Sequence, residues 1–154
     1  MLKGLSAATM VAFLTLCTAA SAEDDVRKSD TPTFGKWYCV EASKNALSDV
    51  SFESKGVRVN NIVLRKDKAL VTDAPTLQLE ASSANRSDRR VSVSIEVVGM
   101  DKDFPAFSIS AYSTFGFIEP DKNKDLNAYI FAPFKTLDQA DTLCVRVTGF
   151  AAAK

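Results

Sequence analysis

The chain has 154 residues with 19 basic and 19 acidic side chains, so its formal net charge at pH 7 is zero. A near-neutral chain argues against nucleic-acid binding and against electrostatic attachment to a membrane. It contains no histidine, which excludes Ser-His-Asp and Cys-His catalysis, zinc sites with histidine ligands and histidine-based pH switches.

The N-terminus has the pattern of a secretory signal peptide. A basic residue is followed by an apolar run over residues 7–16 and then by small residues at the positions that a signal peptidase reads. A membrane anchor is the alternative, but the run is too short to span a bilayer. Lipid attachment at Cys17 is disfavoured because Leu16 precedes it. We predict that residues 1–22 are removed and that the protein is periplasmic or secreted.

Removal of residues 1–22 leaves 132 residues (154 − 22), which suits one domain. The signal takes one lysine with it, so 18 basic and 19 acidic side chains remain. Residues 23–33 are predicted to form a flexible leader, residues 34–150 the single domain and residues 151–154 a frayed tail. No later apolar run is long enough to cross a membrane, so the mature form is predicted to have no membrane span.

The first half of the domain reads as short strands joined by turns. Residues 36–42 predict the first strand, while residues 43–50 fit either a helical turn or a loop. Residues 57–64 predict a strand with a kink at paired asparagines, and residues 69–72 predict a short strand. Residues 73–75 then turn the chain.

A hairpin over residues 77–101 organises the chain. Residues 77–82 alternate apolar and polar side chains, and residues 83–88 have the composition of a turn. The second strand is predicted to end at Gly99. Its β-branched residues alternate with polar ones, which places one face in a core: they are Val91, Val93, Ile95 and Val97.

The Asn-x-Ser-Asp turn before a long alternating strand that ends in Gly-x-Asp resembles small extracytoplasmic sandwiches of the fibronectin-III-like and late-embryogenesis-abundant-like kinds. The residues that carry the resemblance are Asn85, Ser87, Asp88, Val91, Val93, Ile95, Gly99 and Asp101. The resemblance implies a β-sandwich fold and supplies no catalytic residues.

The second half of the domain continues the pattern of strands and turns. Strands are predicted over residues 104–112, 126–132 and 142–149, and a helical turn is predicted over residues 136–141. Seven or eight short strands with regular turns predict an all-β fold, an Ig-like antiparallel β-sandwich. A small closed β-barrel is the alternative.

Cys39 and Cys144 remain after signal removal, and in an exported protein they predict one disulfide. Two free buried thiols are the alternative. Each cysteine falls on the more polar face of its strand, so we expect a bond between neighbouring strands near the surface rather than a pin between two sheets. The sequence leaves open whether those strands are parallel or antiparallel.

Catalytic and metal chemistry has little support in the sequence. The carboxylates lie in turns or on polar strand faces, where solvated charges are the ordinary interpretation. Residues 121–125 begin like a calcium loop, but the glycine and the bidentate glutamate of such a loop are missing. We predict no cofactor, no metal site and no catalytic residues.

Two surfaces are candidates for binding. Aromatic residues concentrate in the last third of the chain; packing in the core is the plainer interpretation, but an exposed patch would be an interaction site. The candidate surface consists of Phe115, Phe117, Tyr129 and Phe131. A secondary candidate is the basic cluster of Arg86, Arg89 and Arg90, for which a solvated hairpin tip is the alternative.

These patterns favour a non-catalytic exported module that binds a protein or an envelope component through sheet edges and the Phe115–Phe117 connector. A secreted enzyme inhibitor that presents a loop such as residues 121–125 is the second hypothesis. A carboxylate-dependent hydrolase is the third, and it requires two converging carboxylates in a pocket.

Overall fold

The alternating segments form eight β-strands and one helical turn in a computed structural model that describes residues 29–113, 116–133 and 135–152. The predicted signal peptide lies outside the described residues. In chain order the elements are β1 (Trp37–Glu41), β2 (Phe52–Ser54), β3 (Val57–Lys68), β4 (Pro75–Asn85), β5 (Val91–Asp101), β6 (Phe104–Tyr112), β7 (Asn123–Phe131), α1 (Thr136–Gln139) and β8 (Thr142–Ala151).

The strands form two four-stranded sheets with the orders β1-β8-β5-β6 and β2-β3-β4-β7. Every pairing of neighbouring strands is antiparallel. The β4–β5 hairpin predicted from the sequence crosses from one sheet to the other, so its two strands do not pair with each other. The predicted all-β sandwich is confirmed, with two open sheets rather than a closed barrel.

The core lies between the inner faces of the two sheets. The alternation in β5 places Val93, Ile95 and Val97 inside, each at most 1% exposed, and β4 contributes Leu77 and Leu79 from the other sheet. Polar residues between them face outward, as a period of two requires. The hydrophobic pattern of the sequence therefore fixes which face of each strand is buried.

Three local predictions differ from the structure. Residues 69–72 are the loop of the β3–β4 hairpin, not a strand. β2 (Phe52–Ser54) was missed because three residues carry no measurable period. Gly99 lies within β5 instead of ending it, opposite Leu143 and Phe107 on its two neighbours. The helical turn predicted near residue 136 is confirmed as α1.

The predicted disulfide is present between Cys39 and Cys144. The two residues stand directly opposite each other in the antiparallel pairing of β1 with β8. The bond therefore joins neighbouring strands of one sheet and does not bridge the two sheets. Cys144 is more buried than a surface staple suggests, at 7% exposed.

The ends of the domain are hydrogen-bonded to the sheets. The Ser29 N–H donates to the Trp37 carbonyl at 3.0 Å, and the Gly35 N–H donates to the Val147 carbonyl at 2.7 Å. β8 continues to Ala151, which pairs with Val91. No helix in the described part of the chain is long and apolar enough to cross a membrane.

Candidate functional site

The connections between strands lie at two opposite ends of the sandwich. The first, which we name the loop end, contains the connections over residues 42–51, 69–74, 102–103 and 132–141. The second, which we name the hairpin end, contains the β2–β3 and β4–β5 turns, the β6–β7 connection and the end of β8. The two ends differ in the chemistry that they expose.

The β3–β4 loop at the loop end presents two apolar side chains, which we name the apolar tip. Leu70 is 104% exposed and Val71 is 95% exposed, so no described residue covers them. The Ala69 N–H donates to the Ala74 carbonyl and the Asp73 N–H donates to the Ala69 carbonyl, both at 2.9 Å. These bonds close the loop behind the two side chains and hold them outward.

Exposed aromatic residues lie at the same end. Tyr129 and Phe131 stand on the outer face of β7 with their ring centroids 5.9 Å apart. Phe131 pairs with Thr76 at the base of the β3–β4 hairpin, and Phe104 begins β6 beside the β5–β6 turn. Of the seven large apolar side chains exposed in the described ranges, five are therefore at or near the loop end: Leu70, Val71, Phe104, Tyr129 and Phe131.

The fold divides the aromatic surface that the sequence predicted. Phe117 is half-buried at the hairpin end, edge to face with Phe150 at 5.9 Å, and the Arg90 guanidinium lies 5.5 Å from its ring centroid. Phe131 is at the loop-end terminus of β7, a strand roughly 27 Å long at about 3.4 Å per residue that begins at the hairpin end. Phe115 lies outside the described residues. The β7 pair and Phe117 therefore do not form one surface.

The basic cluster of Arg86, Arg89 and Arg90 occupies the β4–β5 turn at the hairpin end, and all three side chains are exposed. The Arg86 guanidinium donates to Asn123 Oδ1 at 2.8 Å. The fully buried Asn85 side chain organises this turn, because its Nδ2 donates to the Arg89 carbonyl at 2.7 Å. The cluster is thus part of a hydrogen-bonded turn.

A groove of about 680 Å³ opens at the loop end between β3, the β1–β2 connection and α1. Lys66 forms an ion pair with Asp138 across it, and Lys44 lies on its exposed rim. Its floor consists of buried apolar side chains, namely Leu47, Ile62 and Leu143. A volume of this size is in the range of sites that bind small molecules.

Sequence reasoning missed both the apolar tip and the groove. The Leu70–Val71 pair follows the charged end of β3, and only the turn residues after it signalled a loop. The groove had no signal, because its walls come from three segments that are distant in the chain.

No family model matches the chain, and neither do any of the curated proteins or solved structures compared with it. Across residues 29–113, 116–133 and 135–152, no group of three or more cysteine, aspartate or glutamate side chains is placed to hold a metal ion. The loop end exposes apolar side chains at its tip and lysine side chains at its groove.

Proposed function

We infer that this protein is an exported, non-catalytic β-sandwich module that binds a protein or an envelope component through its loop end. The observation that carries the proposal is the apolar tip. A side chain exposed as fully as Leu70 contributes no free energy of burial to the fold. Burial of each tip side chain by a partner is worth about 1.5–3 kcal/mol. The exposed aromatics near the tip extend the same surface.

The contact surface proposed here keeps Tyr129 and Phe131 from the surface predicted from the sequence and adds the apolar tip and Phe104 in place of Phe117. Phe117 is half-buried against Phe150 at the hairpin end and offers little area to a partner. The tip, Phe104 and the β7 pair offer more, and a concave groove opens at the same end of the sandwich, on the side of β3 that faces away from β4 and β7. The loop end therefore combines protruding and concave apolar surface.

A secreted enzyme inhibitor is the second candidate, and the closed conformation of the β3–β4 loop favours it. An inhibitor needs a rigid protruding loop, and Leu70 stands at the exposed turn of one. Residues 121–125 fit this role less well, since residues 123–125 belong to β7. A hydrolase gains no support from the groove, because Asp138 is the one carboxylate among its described lining residues and is paired with Lys66.

Capture from native envelope extract tests the proposed function. The mature chain, residues 23–154, is compared with a Leu70→Ser/Val71→Ser variant and with a Tyr112→Ser control. Tyr112 is 66% exposed at the opposite end of β6, so the control removes apolar area elsewhere. We expect one discrete component to be captured by the parent and the control, and its affinity for the tip variant to fall on the order of a hundredfold.

Two outcomes contradict the proposal. If the tip variant captures the component as well as the parent does, the contact surface lies elsewhere. If neither the parent nor the control captures anything specific, the protein is not a binding module for its envelope. Changes at such exposed side chains usually alter stability by less than about 0.5 kcal/mol, so misfolding does not confuse the comparison.

A further inference from the structure

We propose that the loop-end groove binds an extended, acidic peptide segment of a partner protein, which adds to the sheet as a strand along β3. This inference rests on the proposed function and names the class of partner. Four observations carry it: an incomplete edge strand, unpaired backbone groups, an apolar groove beside them and a cationic rim.

In the sheet β2-β3-β4-β7, the edge strand β2 has three residues beside a β3 of twelve. β3 (Val57–Lys68) pairs with β4 along its length, but β2 (Phe52–Ser54) covers only residues 57–59 of its other side. Beyond Val59, no described strand and no described backbone hydrogen bond occupies that side of β3. A stretch of nine residues, 60–68, therefore has an open edge.

The turn between β2 and β3 fixes which backbone groups face that edge. Lys55 and Gly56 both have positive φ, at 48° and 79°. Positive φ at both central residues is typical of the two-residue hairpin turn whose twist matches that of the flanking strands. Such a turn makes its flanking residues, Ser54 and Val57, a hydrogen-bonded pair. Arg58, the next residue, therefore directs its backbone N–H and carbonyl toward β4.

The alternation continues along β4, which pairs with β7 without interruption. The backbone groups of Ala84 face β3, and those of every second residue before it, including Glu80, do so too. Glu80 pairs with Val63 after the register shift in β3. The backbone groups of Leu64 and Lys66 are consequently the ones that point away from β4, into the groove that they line.

The groove supplies the side-chain pockets that a strand needs. In strand addition, main-chain hydrogen bonds give affinity and alternate side chains enter pockets that give specificity. A strand beside Leu64 directs every second side chain toward the apolar floor, where Leu47 and Leu143 lie. The segment is therefore expected to have apolar residues at alternate positions.

The positive charge of the groove rim favours an acidic segment. Two lysines, Lys44 and Lys66, and one aspartate, Asp138, line the groove, so these three side chains have a net charge of +1 (2 − 1). Arg65 also lines the groove, but its guanidinium is paired with Glu80 on β4. Acidic residues between the apolar ones are attracted to this rim. A second copy of β3 is repelled, because its edge carries Lys66 and Lys68 as well. The charge therefore favours a different, acidic chain.

The test uses a defined probe, an acetylated and amidated hexapeptide of alternating valine and glutamate. It is titrated into the ¹⁵N-labelled mature chain while amide shifts and hydrogen exchange are recorded. We expect the amides of Leu64 and Lys66 to exchange at least about tenfold more slowly when the peptide is bound, since strand addition protects them. Amides in β5 serve as the internal control and keep their exchange rates.

Two N-methylated peptides separate strand addition from simple filling of the groove. Methylation of the valine nitrogens blocks one edge of an extended peptide, and methylation of the glutamate nitrogens blocks the other. We expect only one of the two to lose binding. Equal binding by both, or no binding of the parent peptide at 5 mM, overturns the proposal.

A charge variant tests the rim without changing the edge. Lys44→Glu alters an exposed residue of the groove rim. We expect it to weaken binding of the valine–glutamate peptide about two- to fivefold and to strengthen binding of a valine–lysine peptide by a similar factor, as surface charge pairs do.

The peptide experiments and the envelope capture can fail separately. If the envelope capture succeeds but no peptide binds, the proposed binding function is supported and strand addition is wrong. If the peptides bind but the capture fails, strand addition at the groove is supported, and the extract contains no partner for it.

Discussion

At the scale of the residue, the size of the Phe107 side chain explains why position 99 is a glycine. It lies inside β5, where glycine weakens a strand, opposite Phe107 on β6. A Cβ at position 99 would stand 2.1 Å from Phe107 Cε1. The ring of Phe107, which is itself buried, therefore occupies the space that any side chain at this position requires.

We predict that Gly99→Ala lowers the free energy of unfolding by about 1–3 kcal/mol, because the buried ring must move. Urea denaturation of the mature chain measures the change. In a Phe107→Leu background the same substitution is expected to cost less, because the smaller side chain leaves room. An equal loss in both backgrounds would show that the contact with the ring is not the cause.

At the scale of the element, β3 contains a bulge that lets both of its halves face the core. The register with β4 shifts between Asn60 and Val63, so one extra residue lies in β3. Asn61 takes the left-handed conformation, with φ of 51°, and its side chain is exposed. Val59 before the bulge and Ile62 after it are both fully buried. The bulge also lies where the open edge of β3 begins.

Because asparagine and glycine tolerate left-handed backbone and valine does not, Asn61→Val is predicted to destabilise the domain by about 1–2 kcal/mol. Asn61→Gly is expected to be neutral within about 0.5 kcal/mol. Asn60→Val is the matched control, since Asn60 has no positive φ. Thermal unfolding followed by circular dichroism compares the three variants, and equal stabilities for the two valine variants would contradict the role assigned to Asn61.

For the whole molecule, the disulfide fastens an edge strand that is otherwise short. β1 has five residues, and β8 is its only partner among the described strands. On the outer face, the Arg146 guanidinium lies 4.6 Å from the Trp37 ring centroid, one cross-strand pair beyond the two cysteines along that face. Cys39 and Cys144 are 105 residues apart in sequence, so the bond joins the two ends of the domain.

Replacement of Cys39 and Cys144 by serine is predicted to lower the free energy of unfolding by about 2–5 kcal/mol, because the unfolded chain regains the freedom that a long closed loop removes. Denaturation of the parent under reducing conditions should give a similar midpoint. A loss of less than about 1 kcal/mol would indicate that β1 is held by its strand pairing alone.

The sequence predicted the candidate site only in part. Tyr129 and Phe131 alternate with the inward residues of β7, and their outward face follows from that period. Their separation from Phe117 depends on the length and direction of β7, which a list of aromatic positions does not contain. The apolar tip was read as a strand because Leu70 and Val71 favour strands when taken alone.

The sequence by itself determined the all-β class and the inward face of the long strands, because period-two alternation is a local signal. It also predicted the pairing of Cys39 with Cys144, because these are the two of its three cysteines that remain once the predicted signal peptide is set aside. The tertiary structure decided the assignment of strands to the two sheets, the antiparallel first and last strands, the open edge of β3 and the groove beside it. These features arise from pairings between segments distant in the chain, and such pairings are selected by the packing of the whole core rather than by any one stretch of sequence.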